Sequence, residues 1–370
     1  MHKNKPRPVP TEFKLQFPET KLVEDVSARI TAASNNRQVL KQLEKGEKFC
    51  FEGTWGTAMT FYSWLKKLVN QQYPIIDYTS SRTNRENLVS LTNNLYLRIF
   101  NHHPDLIKAP GNPWLKEFYP ENNEFCLRFT DYLGLNGARQ WYEKGLTFSG
   151  LSHKVYPFYG TYFPTRTEHL ELFDQWLSRN HIFKKAVDIG CGCGVLSFYM
   201  LSHGIKNILA TDINPNALAS MKYDIERISA SPCVKLMHTG FFQGLENHNP
   251  DLVVFNPPWI PMETHTTIDK AMYYGPDFFE NFFNQAFQYL DETCRLVILF
   301  SNFAQVAGIT NIHPIENEIL NKQRFTLTEK AVQGIQQNPQ SQKTWLSVIR
   351  SKEEAQLWIL EKKYPTNHDS

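Results

Sequence analysis

Three alternating glycines stand in the middle of the stretch Val187-Asp188-Ile189-Gly190-Cys191-Gly192-Cys193-Gly194-Val195-Leu196. The apolar residues before them predict a buried strand, and those after them begin a helix that we expect to stop at Gly204. Glycines allow a sharp turn and a close ligand approach, because no Cβ stands in the way. The helix that follows offers free N–H groups at its start. The stretch therefore predicts a strand, a ligand-binding glycine loop and a helix.

The spacing of the loop narrows the class of ligand. A dinucleotide site has the pattern G-x-G-x-x-G, and a phosphate-binding P-loop ends in Gly-Lys-Ser/Thr. This loop instead reads G-x-G-x-G and follows Asp188, an acid suited to a ligand that carries an ammonium group. A second acid, Asp212, ends the next predicted strand, about 20 residues further on, where it can accept both hydroxyls of a ribose. A dehydrogenase is therefore a distant alternative.

A second motif, Asn256-Pro257-Pro258-Trp259, follows the buried strand 251–255. Its two prolines fix φ and remove two N–H donors, which stiffens the turn and turns its carbonyls outward. The Asn256 side-chain oxygen and the Pro257 carbonyl can then accept both hydrogens of one planar –NH2 group, with the Trp259 ring flat against it. A nitrogen that attacks a methyl group becomes more tetrahedral and more positive, and these groups stabilise that change. Asn256, Pro257 and Trp259 are therefore the candidate catalytic residues.

Together the two motifs resemble the class I S-adenosylmethionine-dependent methyltransferases, and among them the HemK/PrmC-type "small domain" enzymes with their N-P-P-Y motif. The likeness covers residues 146–363. It implies an α/β fold with a Rossmann-like, mostly parallel sheet whose last strand is antiparallel. A helical N-terminal domain and a β-hairpin linker would precede this sheet.

The resemblance also implies a site. The glycine loop would contact the methionine part of S-adenosylmethionine, and Asp212 its ribose. The predicted cofactor-binding residues are Asp188, Gly190, Cys191, Gly192, Gly194, Asp212, Ile213, Phe241 and Asn256. The predicted substrate-binding residues are Asn256, Pro257, Pro258, Trp259 and Arg166. No metal is expected.

Two departures from the family pattern bear on substrate and cofactor. Gly240 stands where the family has an acid near the adenine amino group, although Phe241 can still pack on adenine. Trp259 replaces the family's Tyr and gives a broader ring without a hydroxyl. With the longer N-terminal domain, these departures weaken the transfer of the family's release-factor glutamine substrate.

The chain is predicted to fall into three parts. Residues 1–145 form an all-helical domain that we suspect of recognising the substrate, with predicted helices at 21–43, 54–68, 87–100 and 122–142. Residues 146–164 form the hairpin linker. Residues 165–370 bind S-adenosylmethionine, beginning with a capping box from Thr165 to Glu168. The polar stretch 333–343 is either a loop over the site or an uninvolved insertion.

Composition excludes several classes. The chain has 370 residues, and its formal net charge of +2 makes no electrostatic case for nucleic acid. No apolar run approaches the roughly 20 residues of a membrane span, and no signal peptide is expected. Six scattered cysteines predict free thiols in a reducing cytoplasm.

The leading hypothesis is therefore a methyltransferase acting on a planar nitrogen of a protein, nucleobase or metabolite. Two alternatives remain open: a small-molecule methyltransferase with a non-nitrogen acceptor, and a non-catalytic cofactor- or partner-binding subunit. The sequence gives no indication of oligomeric state.

Overall fold

The computed structural model describes residues 12–264, 269–336 and 344–363. The chain divides into two compact units. The N-terminal unit comprises Gln16–Gln140, and the C-terminal unit comprises Glu12–Leu15 with the chain from Trp141 onward. None of the described helices is long and apolar enough to cross a membrane. Of the predicted 333–343 stretch, residues 337–343 lie outside the described part, and Gln333 and Gly334 end a strand.

The N-terminal unit combines helices with a five-stranded sheet. Its strands are β1 (Ala28–Ile30), β2 (Phe49–Phe51), β3 (Leu95–Phe100), β4 (His103–Pro104) and β5 (Glu124–Arg128). Its helices are α1 (Asn36–Leu43), α2 (Trp55–Gln72), α3 (Tyr78–Thr92), α4 (Trp114–Phe118) and α5 (Phe129–Lys144), the last of which runs on past Gln140. The central strand β3 pairs with β2, β4 and β5.

The prediction of an all-helical N-terminal domain is therefore wrong. Three of the four predicted helices each contain a strand: β1 lies within 21–43, β3 within 87–100 and β5 within 122–142. These are short apolar runs, and periodicity alone does not separate a buried strand from a buried helix segment. Pairing between distant segments decides the matter, as in the register of Leu97 with Leu127.

The C-terminal unit is built on a seven-stranded sheet in the order β13-β14-β12-β9-β6-β7-β8. Strands β6 to β9 and β12 run parallel, and β14 is antiparallel to both of its neighbours. The predicted mostly parallel sheet with an antiparallel last strand is confirmed. The strands are β6 (Lys185–Ile189), β7 (Asn207–Asp212), β8 (Val234–His238), β9 (Leu252–Phe255), β10 (Ile260–Pro261), β11 (Tyr273–Tyr274), β12 (Arg295–Ser301), β13 (Phe325–Gly334) and β14 (Glu354–Lys362), of which β10 and β11 form a separate pair.

Helices cover both faces of this sheet. They are α6 (Glu168–Arg179), α7 (Val195–Ser202), α8 (Pro215–Arg227), α9 (Phe278–Tyr289), α10 (Phe303–Val306), α11 (Pro314–Asn317) and α12 (Trp345–Arg350). Because successive side chains of a strand point to opposite faces, Val297 joins the apolar layer under α6, α7 and α8, and Ile298 joins the layer under α9. Helix α8 begins with Asn214 as its N-cap and Pro215 at the first position.

The predicted hairpin at 146–164 is reduced to one antiparallel bridge, between Leu146 and Val155. The backbone N–H groups that would extend a ladder are used by α8 instead. Tyr156 donates to Asp224 Oδ2 at 2.7 Å, and Phe158 donates to Ser220 Oγ at 3.0 Å. The segment is thereby bound to α8 as an irregular strap.

The predicted capping box at Thr165 is also wrong. Helix α6 begins at Glu168 after Thr167, whose side chain makes no cap hydrogen bond. Glu168 is buried, and its Oε1 accepts from the backbone N–H of Gln336 at 3.0 Å. The carboxylate therefore joins two distant parts of the chain instead of closing its own helix.

All six cysteines are free. Five are buried, and only Cys233 is half-buried. The two in the glycine loop, Cys191 and Cys193, are small residues packed in the apolar layer under α6, α7 and α8.

Candidate functional site

A cavity of about 280 Å³ opens at the carboxyl ends of β6, β7 and β9, the edge where an open α/β sheet binds ligands. The register places Ile189 beside both Thr211 and Phe255, so the segments that follow these three strands meet there. The cavity is lined by the glycine loop, the ends of β7 and β9, the segment after β8 and part of the strap. Of the predicted site residues, Gly190, Cys191, Gly192, Asp212, Ile213, Phe241, Asn256 and Pro258 line it.

The glycine loop is held at its centre by Asp212. The Gly192 N–H donates to Asp212 Oδ2 at 2.9 Å, and the Asn214 N–H donates to Oδ1 at 2.8 Å. At Gly192, φ is +53°, and a Cβ would lie 3.2 Å from the Tyr162 carbonyl oxygen of the strap. Burial raises the pKa of Asp212, and these backbone N–H groups oppose that shift. The acid thus fixes the loop while it faces the cavity.

Asp188 lies behind the loop and not among the lining residues. Its Oδ2 accepts from Ser197 twice, from the backbone N–H at 3.0 Å and from the hydroxyl at 2.6 Å. Its buried Oδ1 has no hydrogen-bond partner among the described residues. Burial raises the pKa of Asp188 to about 7. One oxygen therefore caps the start of α7, and the other is left without a donor.

Phe241 forms an aromatic wall of the cavity. Its φ of +42° lies in the left-handed region, which is uncommon for a residue with a side chain. Its ring meets Phe278 edge-on at 5.3 Å and Phe282 at 5.5 Å between centroids. Neighbouring rings therefore fix the orientation of this wall.

The Asn-Pro-Pro-Trp segment reaches the cavity through Asn256 and Pro258, and Pro257 and Trp259 are not among the lining residues. The Trp259 indole N–H donates to Asn256 Oδ1 at 3.2 Å. The Trp259 ring meets the His169 ring edge-on, with centroids 5.0 Å apart and planes at 86°. Sequence reasoning treated Trp259 only as a stacking surface and missed its bond to Asn256.

Arg166 is not brought to the cavity. Its Nη1 lies 3.7 Å from Glu168 Oε1, and Arg350 and Glu353 interact with it electrostatically. Gly194 does not line the cavity either. It is the N-cap of α7 and has a left-handed backbone conformation. The role of Arg166 in substrate binding stays a prediction, and its observed place is a charged cluster at the start of α6.

Several lining residues escaped sequence reasoning. Gly160, Tyr162 and Pro164 come from the strap, and Lys270 comes from the short 3-10 turn Asp269–Ala271. Phe278 is the first residue of α9. Asn214 also lines the cavity, and its position before Pro215 is a sequence pattern typical of a helix N-cap. Lys270 lies in no sequence motif. Within the described residues, no group of three or more His, Cys, Asp or Glu side chains is placed to hold a metal ion.

Comparison with known proteins identifies the part of the chain that carries this cavity. The profile of the methyltransferase small domain matches residues 170–329. The matched segment makes up less than half of the chain. It includes the glycine loop, Asp212 and the Asn-Pro-Pro-Trp segment, and it leaves the strap and β14 outside.

Curated proteins that match part of this chain have related names. The ribosomal protein uL3 glutamine methyltransferase of Neisseria gonorrhoeae is 27% identical over 135 residues, which are 36% of this chain and 44% of that protein. The release factor glutamine methyltransferase of Rhodopirellula baltica is 30% identical over 162 residues, 39% of this chain and 54% of that protein. The chain thus spans about half the length of the curated relatives it matches.

Among solved structures, the ribosomal protein L11 methylase of Lactobacillus delbrueckii subsp. bulgaricus aligns with a TM-score of 0.37 at 15% identity. That alignment covers 57% of this chain and 86% of the other. Methyltransferases of the matched family use S-adenosylmethionine as the methyl donor. Two acids fit that cofactor: Asp212, which lines the cavity at the end of β7, and Asp188 behind the glycine loop, whose Oδ1 has no hydrogen-bond partner among the described residues.

Proposed function

We propose that this protein is an S-adenosylmethionine-dependent methyltransferase whose acceptor is a planar nitrogen. One observation carries the proposal. Asn256, a side chain suited to holding an –NH2 group, lines the same cavity as the glycine loop and Asp212. A protein that only bound the cofactor would have no need of that arrangement.

The residues that hold the cofactor follow from the chemistry of the lining. Asp212 accepts from ribose hydroxyls, since each of its oxygens keeps a lone pair after accepting one backbone N–H. Phe241 and Ile213 supply apolar surface for a base. Asp188 contributes negative charge behind the loop, where an ammonium group favours its ionised form. When bound, the cofactor supplies a methyl group made electrophilic by a sulfonium.

The residues that hold the acceptor lie at the end of β9. Asn256 Oδ1 and the Pro257 carbonyl accept the two hydrogens of an –NH2 group and aim its nitrogen into the cavity. As positive charge develops on that nitrogen, both acceptors stabilise it more strongly than they stabilise the neutral group. Fixed positioning supplies most of the remaining acceleration.

Among planar nitrogens, the amide of a protein side chain is the acceptor we favour. The relatives that match this segment are named for glutamine methylation. A nucleobase amino group offers the same two hydrogens, and the formal net charge of +2 gives no support for a nucleic-acid partner.

The test uses cofactor labelled on its methyl group. Purified protein and a cell extract, later separated into protein, nucleic-acid and small-molecule fractions, are incubated with it. We expect label in the protein fraction, and we expect Asn256→Ala to reduce it roughly a hundredfold or more. The matched control is Asn321→Ala, an exposed asparagine outside the cavity, which should label as the unaltered chain does.

Each other outcome has a definite meaning. Full labelling by Asn256→Ala contradicts the role given to that side chain. Cofactor binding without label in any fraction contradicts the catalytic proposal and favours a binding subunit. Label in the nucleic-acid or small-molecule fraction keeps the enzyme and replaces the acceptor.

A further inference from the structure

The Trp259 indole is bound into the Asn256 side chain, in the segment that the proposed function assigns to the acceptor. Its N–H donates to Asn256 Oδ1 at 3.2 Å. Its ring also packs against the apolar layer under α9. The indole is thus a hydrogen-bond donor in the site as well as a flat surface.

That bond bears on which end of the Asn256 amide meets the acceptor. The oxygen and the –NH2 end of an asparagine are nearly equal in size but opposite as hydrogen-bonding groups. Only the oxygen can accept from an acceptor –NH2 group, and a flipped amide would present two donors to two donors. An indole N–H has no acceptor capacity, so it stabilises the amide only when the oxygen faces it. The second lone pair of Oδ1 is then left for the acceptor.

The His169 ring packs against the Trp259 indole and supports its position beside Asn256. His169 is only 2% exposed, and its ring meets the Trp259 ring at 86° with 5.0 Å between centroids. Neither ring nitrogen has a hydrogen-bond partner among the described residues. Burial lowers the pKa of His169 to about 3, so the ring is neutral at ordinary pH. An edge-to-face contact of this kind is favourable and restricts the plane of the indole ring.

We infer that Trp259 is a positioning residue that selects the acceptor-binding orientation of the Asn256 amide, and that His169 supports it by ring packing. This inference rests on the proposed function, because it assigns the free lone pair of Asn256 Oδ1 to the acceptor. It gives the tryptophan, where the family has tyrosine, a task that stacking alone does not include.

The first test needs no acceptor. The Trp259 indole resonance is assigned in a ¹H–¹⁵N spectrum as the one lost in Trp259→Phe. In Asn256→Ala we expect that resonance to move upfield and its proton to exchange faster with solvent, since its acceptor is gone. An unchanged resonance overturns the inference even if the protein methylates an acceptor.

The second test uses turnover of the labelled cofactor. Trp259→Phe keeps a flat ring and removes the donor, so we expect kcat to fall roughly ten- to a hundredfold. The affinity for S-adenosylhomocysteine and the melting temperature should stay near those of the unaltered chain. The matched control is Trp176→Phe. Trp176 lies in α6, seven residues after His169, and does not line the cavity, so this substitution should leave kcat unchanged.

A double variant separates orientation from stacking. The Asn256→Asp substitution gives a carboxylate with two equivalent oxygens, so no orientation needs to be selected. Asn256→Asp should therefore reduce kcat much less in the Trp259→Phe background than alone, or even restore part of it. If the two substitutions change kcat by factors that simply multiply, Trp259 acts by stacking only. That result would contradict the inference.

Two substitutions test the support. His169→Phe keeps an edge-to-face ring and removes the unpartnered nitrogens, so we expect activity to be kept. His169→Ala removes the ring and should lower kcat about as Trp259→Phe does. Loss of activity in His169→Phe with an unchanged melting temperature would show that the nitrogens matter, contrary to the role proposed. If neither the unaltered chain nor any variant transfers label, the proposed function is contradicted. The inference about Trp259 is then decided by the indole resonance alone.

Discussion

The carboxyl of Asp188 holds one end of a helix while its second oxygen has no hydrogen-bond donor among the described residues. Burial raises its pKa to about 7, whereas an unfolded chain leaves an aspartate near 4. Between these values the folded chain keeps a proton that the unfolded chain releases. Stability contributed by this group therefore falls as pH rises from about 4 to about 7 and is constant above that.

Asp188→Asn removes this dependence, because the amide oxygen still accepts from Ser197 but carries no titrating proton. We expect the free energy of unfolding of the variant, relative to the unaltered chain without cofactor, to increase across that pH window. Urea unfolding at pH 5, 6 and 7.5 measures the difference, and all other titrating groups are shared by the two proteins. A constant difference at all three values contradicts the shifted pKa.

Single residues divide sharply in how well sequence predicted them. Gly192, Asp212 and Asn256 lie at or just beyond the carboxyl ends of β6, β7 and β9, and the parallel sheet brings those strand ends to one edge. Arg166 and His169 lie outside that rule. Their places depend on how α6 packs, and a neutral buried histidine under a tryptophan leaves no pattern in the chain.

At the scale of elements, α7 has a left-handed glycine at each end. Gly194 has φ of +82° and a Cβ there would lie 2.9 Å from Met221 Cγ, whereas at Gly204, with φ of +90°, nothing lies within 4 Å. Gly204→Ala should cost about 1–2 kcal/mol for the backbone alone. Gly194→Ala should cost about 1–3 kcal/mol more, because Met221 must also shift.

Urea unfolding of both variants measures these costs, and Gly204→Ala is the matched control. Shortening the methionine in Gly194→Ala/Met221→Ala should relieve the contact, so the two substitutions together should destabilise by less than the sum of their separate effects. Equal costs for the two glycine variants would show that Met221 does not restrict Gly194.

Elements were predictable where local pattern and tertiary pairing agree. The mostly parallel sheet with an antiparallel last strand was predicted, and strands such as β9 and β12 are short buried apolar runs. The strands β1, β3 and β5 lie in stretches that also suit a helix, so pairing with distant residues overrides local preference. The strap has the alternating pattern typical of a strand. Its backbone N–H groups donate to the side chains of Asp224 and Ser220, so they are not available for a hairpin ladder.

At the scale of the whole molecule, two compact units have separate sheets, and the candidate cavity is confined to the C-terminal one. We expect two calorimetric transitions on heating. S-adenosylhomocysteine at 100 times its Kd should stabilise the unit it binds by about 2.7 kcal/mol. That corresponds to a rise of roughly 5–10 °C in one transition.

Asp212→Ala provides the control, since it removes the acid that fixes the glycine loop and should abolish the shift. A single transition that moves as a whole with the ligand would show that the two units unfold together. A shift of the same size in Asp212→Ala would remove this residue from the proposed cofactor site.

The pattern of cysteine burial has a practical consequence. Thiol reactions require access as well as the thiolate, and five of the six thiols are buried. Cys233, directly before β8, is the one that solvent reaches. A maleimide dye or nitroxide spin label would therefore attach at one known point of the unaltered chain. From that fixed position, spectroscopy can follow the arrival of a labelled acceptor in the C-terminal unit without any engineered cysteine.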